Sequence, residues 1–245
     1  MSKTVIFSNK DKAGTNIAGL LRDEYGLKAL EYDKEILHLD GISNLPDSSL
    51  CIVASRHKSK SGTPTLTAHS PGNYGAAQAG GRDRELGYAP ALLLRKAAML
   101  LQKNRIPGYE SCLEATHHGP TGFPFPMIFV EVGSSEKEWN DLSACAVAAG
   151  IIAELAASTP EVVPAAVGFG GGHYCRKFSS VVDYAVGHIC PKYSLSCLDP
   201  VMVVQMIEKT VPRPEYALVE KKGLGGEKER IRSLLLETDL SVVEI

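Results

Sequence analysis

Residues 111–135 read SCLEATHHGPTGFPFPMIFVEVGSS. Within them Met127–Val132 (MIFVEV) is an apolar run of strand length, interrupted only by Glu131. Such a run marks a strand buried on both faces. Ser135 and Glu138 fit a capping box, so a helix is expected to start at Ser134 or Ser135 and to run to about Ala157. On the other side, Ser111–Thr116 reads as a second strand and His117–Pro126 as a rigid Pro/Gly loop. A buried strand that feeds a capped helix is the unit of an α/β sheet covered on both faces.

Working outward, the alternation continues. Thr4–Ser8 reads as a first strand and Ala13–Tyr25 as a helix, with Ile17, Leu20 and Leu21 on its apolar side. Lys28–Tyr32, Ile36–Leu39 and Leu50–Ala54 are short strand candidates, and Tyr88–Asn104 is a helix with Pro90 near its first turn. Beyond the long helix, Glu161–Val167 is a strand that ends in GFGGGH (residues 168–173). Asp183–Cys190, Val201–Lys209 and Tyr216–Val219 then alternate strand, helix and strand, followed by a helix at Glu227–Leu236 and a strand at Leu240–Ile245. With no internal repeat and no linker-like break, residues 1–245 are expected to form one domain.

The 245 residues are 44% hydrophobic and 22% charged, which excludes a disordered or collagen-like chain. No apolar run reaches the ~18 residues of a membrane helix, and the first residues lack a signal-peptide pattern. A cytoplasmic protein with no membrane association is expected. Six cysteines lie mostly in apolar stretches without any CxxC, which predicts buried free thiols. The net charge is only −2, yet Arg56–Arg105 holds nine basic residues against Asp83 and Glu85, a local net of +7. That asymmetry suits a phosphate-facing patch or a solvated face with scattered ion pairs. Ser61–Gly81 contains no Asp, Glu, Lys or Arg and holds five glycines, and a loop of that length is usually functional.

Ligands of open α/β sheets gather beyond the carboxyl ends of strands. That rule selects the loop after Ala54, the HHGPTG loop, the turn after Val132 and the GFGGGH turn. Glu131, in an apolar strand, needs a partner, a metal or a proton. Strict alternation would put Glu114, Thr116 and His118 on one face and His117 on the other, so that Glu114 and His118 could form an acid–base pair or a metal shell. The glycines before His173 expose backbone amides to an anion. His57 and His69 bracket the uncharged loop without a decided role; His38 reads as structural and His188 is open. No GxSxG elbow or Cys–His motif supports a covalent nucleophile.

Together, SRHKSKSGTPTLTAHSPGNY (55–74), EATHHGPTGFP (114–124), FVEVGSSEKEW (129–139) and GFGGGHY (168–174) resemble the archaeal and plant type of D-aminoacyl-tRNA deacylase. The resemblance spans about residues 1–240. It implies a three-layer α/β/α sandwich of the phosphorylase/hydrolase type with a mixed sheet. It also implies hydrolysis of the ester between a D-amino acid and the terminal ribose of tRNA, and an association with zinc. On that basis His118 and Glu131, with Glu114, are expected to activate water, and His117, His118 and Glu131 to bind the metal. Gly170, Gly171 and Gly172, with His173 beside them, would contact the oxyanion or the substrate. Arg56, Lys58 and Lys60 would hold acceptor-stem phosphates and Tyr74 would stack on the terminal base, in a protein that works as a monomer. The rival is a metal-dependent exopeptidase or amidohydrolase on the same architecture, which would not need the basic segment.

Overall fold

A computed structural model describes residues 2–39 and 50–245. Its elements in chain order are β1 (Lys3–Ser8), α1 (Lys12–Tyr25), β2 (Leu30–Tyr32), β3 (Leu50–Lys58), β4 (Thr65–His69), β5 (Ala89–Pro90) and α2 (Ala91–Lys103). Then come β6 (Glu110–Leu113), β7 (Met127–Ser134), α3 (Glu136–Trp139), α4 (Leu142–Ala157), β8 (Ala165–Phe169) and α5 (Arg176–Ser180). The chain ends with β9 (Ala185–Cys190), α6 (Pro200–Glu208), β10 (Thr210–Val211), β11 (Tyr216–Val219), α7 (Lys228–Leu236) and β12 (Ser241–Glu244).

A six-stranded sheet runs β2-β1-β3-β7-β4-β6, and a four-stranded sheet runs β12-β11-β8-β9. All their neighbours are parallel except β4 and β7, so the first sheet is mixed. One face of the first sheet presents Val5, Ile52, Val130 and Leu66 to α1, α2 and α4. The opposite face is apolar only at one end, where Val53 and Phe129 meet Ile36 and Phe123. A second core lies on the smaller sheet under α6 and α7. With helices on both sides of a mixed and a parallel sheet, the architecture is the three-layer α/β sandwich expected.

Three local expectations are corrected. Ile36–His38 is a 3-10 turn rather than a strand. The uncharged stretch is not all loop, because Thr65–His69 pairs between β7 and β6, with Leu66 and Ala68 in the main core. The long helix is broken in two: Asp141 accepts from the Ser143 and Ala144 amides and caps a new helix after α3. Among the described residues, no helix is long and apolar enough to cross a membrane.

The two sheets are joined beside β6. Cys175 N–H donates to Leu113 O (2.8 Å), Ala115 N–H to His173 O (2.9 Å) and Thr116 N–H to Ile189 O (3.0 Å). His188, fully buried in β9, locks this joint. Its Nε2–H donates to Gly87 O at 2.9 Å, so Nδ1 is bare and accepts from the Thr116 hydroxyl at 3.1 Å. Burial pushes this imidazole down to about 4, from 6.5. Its folded value lies below its unfolded one, so the stability it confers is complete above about pH 6.5 and is lost as pH falls toward 4. The stability advantage of the wild type over His188→Gln should therefore narrow by about 2–3 kcal/mol between pH 7 and pH 4.5. Urea unfolding at the two pH values measures this, and a constant gap would show that His188 keeps its proton when folded.

Candidate active site

Cross-strand register builds the site. Ser55 of β3, Glu131 of β7 and Thr67 of β4 form one row, and His57, Gly133 and Thr65 form the next. Residues directly opposite share a face, here the face that turns polar beyond Phe129. β4 adds His69, which stacks on Phe129 at 5.2 Å. The segment after β6 brings Glu114, His117 and His118, and the joint with residues 173–175 brings His173. His118 holds a left-handed backbone, φ 47°, uncommon for a residue with a side chain.

Five of the seven histidines converge on two buried carboxylates. Around Glu114 lie His57 Nδ1 (3.3 Å), His117 Nε2 (3.5 Å) and His173 Nε2 (3.1 Å). Around Glu131 lie His57 Nδ1 (3.5 Å), His69 Nε2 (3.7 Å) and His118 Nε2 (3.8 Å). Glu114 and Glu131 are each 2% exposed. The outward ring nitrogens divide into two kinds. Nδ1–H of His117, His118 and His69 donates to the carbonyls of Ala115 (2.8 Å), Gly119 (2.7 Å) and Ser70 (3.2 Å). His57 Nε2 is instead hydrogen-bonded to the Tyr174 hydroxyl and His173 Nδ1 to the Tyr193 hydroxyl, each at 3.1 Å.

Charge follows from these contacts. Burial alone would raise Glu131, but His118, His57 and His69 hold it well below the usual carboxylate range. Glu114 is likewise lowered against the pull of burial, by His173 and His57. Burial opposes the charged form of His57 and His69, yet the two carboxylates outweigh it and raise both. Burial and the neighbouring imidazoles push His117 well down, and His118 is also lowered by burial despite Glu131. The chamber therefore holds two ionised carboxylates, two imidazoles that favour their protons and two that stay neutral.

The donor set suits a metal such as zinc. Both Glu114 oxygens and His69 Nε2 are buried without a hydrogen-bond partner, an expensive state for polar atoms. Ring nitrogens whose far side is fixed by a carbonyl are how proteins orient metal-ligating histidines. Among the described residues, ligand atoms within 4.8 Å of one another occur as His57/Glu114/His117/His173, His69/His117/His118 and His69/Glu114/Glu131. The expected trio of His117, His118 and Glu131 is split between these groups.

Other expectations fare differently. Glu114 and His117 face each other 3.5 Å apart, because the strand ends at Leu113 and alternation stops there. Gly170 N–H is spent on Cys190 O (2.8 Å), so it is no oxyanion donor. Gly171 and Gly172 line a separate surface hollow with Lys192 and Gly223. Tyr74 is 3% exposed inside the second core and offers no stacking face. Arg56 and Lys58 line a cavity of about 500 Å³ that opens onto the chamber, and Arg56 also pairs with Glu35 at 2.6 Å. Most of the other basic residues after Arg56 do not join them: Arg84, Arg95 and Lys96 pair with Asp199, Glu161 and Glu154. Sequence reasoning passed over Tyr174 and Tyr193 and left His57 and His69 undecided. The alternating TLTAH pattern of β4 was the available signal for His69.

Comparison with known proteins gives the chain a family. A family model described as D-aminoacyl-tRNA deacylase matches residues 45–243. A D-aminoacyl-tRNA deacylase of Ignicoccus hospitalis is 36% identical, with 100% of both chains covered. One of Cenarchaeum symbiosum is also 36% identical, covering 95% of this chain and 96% of the relative. The crystal structure of the conserved protein of unknown function AF0625 superposes with a TM-score of 0.89 at 26% identity, over 99% of this chain and 95% of that one.

The charge balance is open to a direct test. Glu131→Ala strips protonated His57 and His69 of a counter-charge and should cost about 3–5 kcal/mol of stability. Glu131→Gln keeps the shape but removes the same charge, so it should cost nearly as much. A loss for Glu131→Gln in urea unfolding that is small beside that of Glu131→Ala would show that packing, and not charge, is what Glu131 supplies.

Proposed function

The chain belongs to the D-aminoacyl-tRNA deacylase family, and we propose that the histidine–glutamate chamber is where it works. The protein is a hydrolase that adds water across the ester between a D-amino acid and the terminal ribose of tRNA. The observation that carries the assignment of the site is the convergence of five histidines on Glu114 and Glu131 beneath a cavity rimmed by Arg56 and Lys58. The small-amide alternative is not favoured, since curated relatives matching this chain end to end carry the deacylase name.

Ester hydrolysis needs a base for the water, positive charge for the tetrahedral oxyanion and a proton for the departing ribose oxygen. Neutral His118, its Nδ1–H committed to Gly119, keeps a bare Nε2 beside Glu131 and takes the proton from water. His57 and His69, kept protonated by the carboxylates, supply the positive charge. His173, its side chain 30% exposed at the mouth between Glu114 and Tyr193, passes a proton to the ribose oxygen. We assign zinc to this chamber, where His69, Glu114 and Glu131 would hold it, the ion taking the place of the His69 proton and leaving Nε2 of His118 free. When bound, it would lower the pKa of a water and polarise the ester carbonyl. Arg56, Lys58 and Lys60 bear the phosphates of the acceptor end, and a substrate that belongs to translation supports a cytoplasmic enzyme.

Matched D- and L-tyrosyl-tRNA test the reading. The D ester should be cleaved and the L ester spared, with activity lost on chelation and restored by zinc. His118→Ala should reduce kcat by about 100-fold or more. Cleavage that survives chelation would remove the metal from the scheme, and no cleavage of either ester would sink the site assignment.

A further inference from the structure

A second cavity, of about 370 Å³, opens onto the same histidines. It shares Gln78, Ala79, His117 and His118 with the cavity that holds Arg56 and Lys58. The two hollows differ in chemistry. The first is lined by Asp11, Glu35, Arg56, Lys58 and Glu131, whereas no Asp, Glu, Lys or Arg lines the second. Its far wall is the arc 72–79, drawn from the uncharged stretch, and its near wall carries Tyr193, which is 60% exposed.

The arc is held rigidly. Gly72 N–H donates to His118 O (2.7 Å), Gly119 N–H to Ala79 O (3.0 Å) and Arg84 N–H to Gly75 O (2.8 Å). At Gly80, φ 75°, a Cβ would stand 1.9 Å from Leu37 O, so the turn closing the arc needs glycine. A fixed wall of uncharged residues beside a reacting centre is a shape filter rather than a charge filter.

An ester has two sides, and the reacting carbonyl lies between them. Resting on the deacylase reading, we infer that the charged cavity takes the terminal nucleotide and the neutral cavity takes the side chain of the D-amino acid. The volume, near the lower end of the ~300–1,000 Å³ usual for ligand pockets, admits one neutral side chain up to aromatic size. The Tyr193 ring offers an aromatic substrate a face to pack on. The lack of charge in the arc 72–79 is then a property of the substrate pocket.

The test charges D-tyrosine and D-alanine onto one and the same tRNA. Ala76, exposed on the arc, is replaced by Trp, and Ser194 on the opposite wall by Phe. Each substitution narrows the neutral cavity, so kcat/KM for the D-tyrosyl ester should fall at least tenfold more than that for the D-alanyl ester. An equal fall for both esters, or no change for either in both variants, would overturn the assignment. Failure of the wild type to cleave either ester would instead bring down the deacylase reading on which it rests.

Discussion

Two carboxylates sit where water does not reach, and the rest of the site is arranged to make that tolerable. Glu114 and Glu131 occupy adjoining parts of one chamber, each 2% exposed. An isolated ionised carboxylate in such a place costs several kcal/mol. Five imidazoles from four separate stretches of chain offset that cost, and two of them hold protons because of it. The compensation is collective: His57 faces both carboxylates, so the two halves of the chamber cannot titrate independently.

Placing those groups requires the joint between the sheets. β3, β7 and β4 deliver His57, Glu131 and His69 by register alone. Glu114 and His173 arrive only because residues 113–115 pair with 173–175. His188 and Thr116 fasten that seam from beneath. Trp139, just past the capping box, donates its indole N–H to His57 O (2.9 Å) and so ties the end of β3 to α3. The apolar face toward α1, α2 and α4 provides the rigidity on which these placements depend.

Much of this was legible in the sequence. MIFVEV announced a buried strand and Glu131 an unexplained charge within it; Ser135 and Glu138 marked the helix start. Glu114, His118 and His173 were all selected as chemical, and all lie in the chamber. What escaped depended on distant pairing. β4 was hidden because a stretch rich in Gly, Thr and Pro resembles a loop until a neighbour supplies its hydrogen bonds. His117 was assigned to the wrong face because alternation was extended past Leu113, where the chain leaves the strand and His118 turns left-handed. Tyr74 looked like an exposed platform because nothing local shows that the second core covers it.

The outward contacts of the histidines divide the chamber further. A backbone carbonyl can only accept, so His69, His117 and His118 each keep a proton on Nδ1 and turn Nε2 inward. A phenol can donate or accept, so the tyrosines behind His57 and His173 impose no such choice. Neutral His117 and His118 therefore offer permanent lone pairs, and His69 would offer its own to a metal on giving up the Nε2 proton. His57 and His173 can exchange a proton and readjust without losing their hydrogen bonds. Hydrolysis takes a proton from water and returns one to the ribose oxygen, so it calls on both behaviours, and His57 brings the reversible kind within reach of both carboxylates.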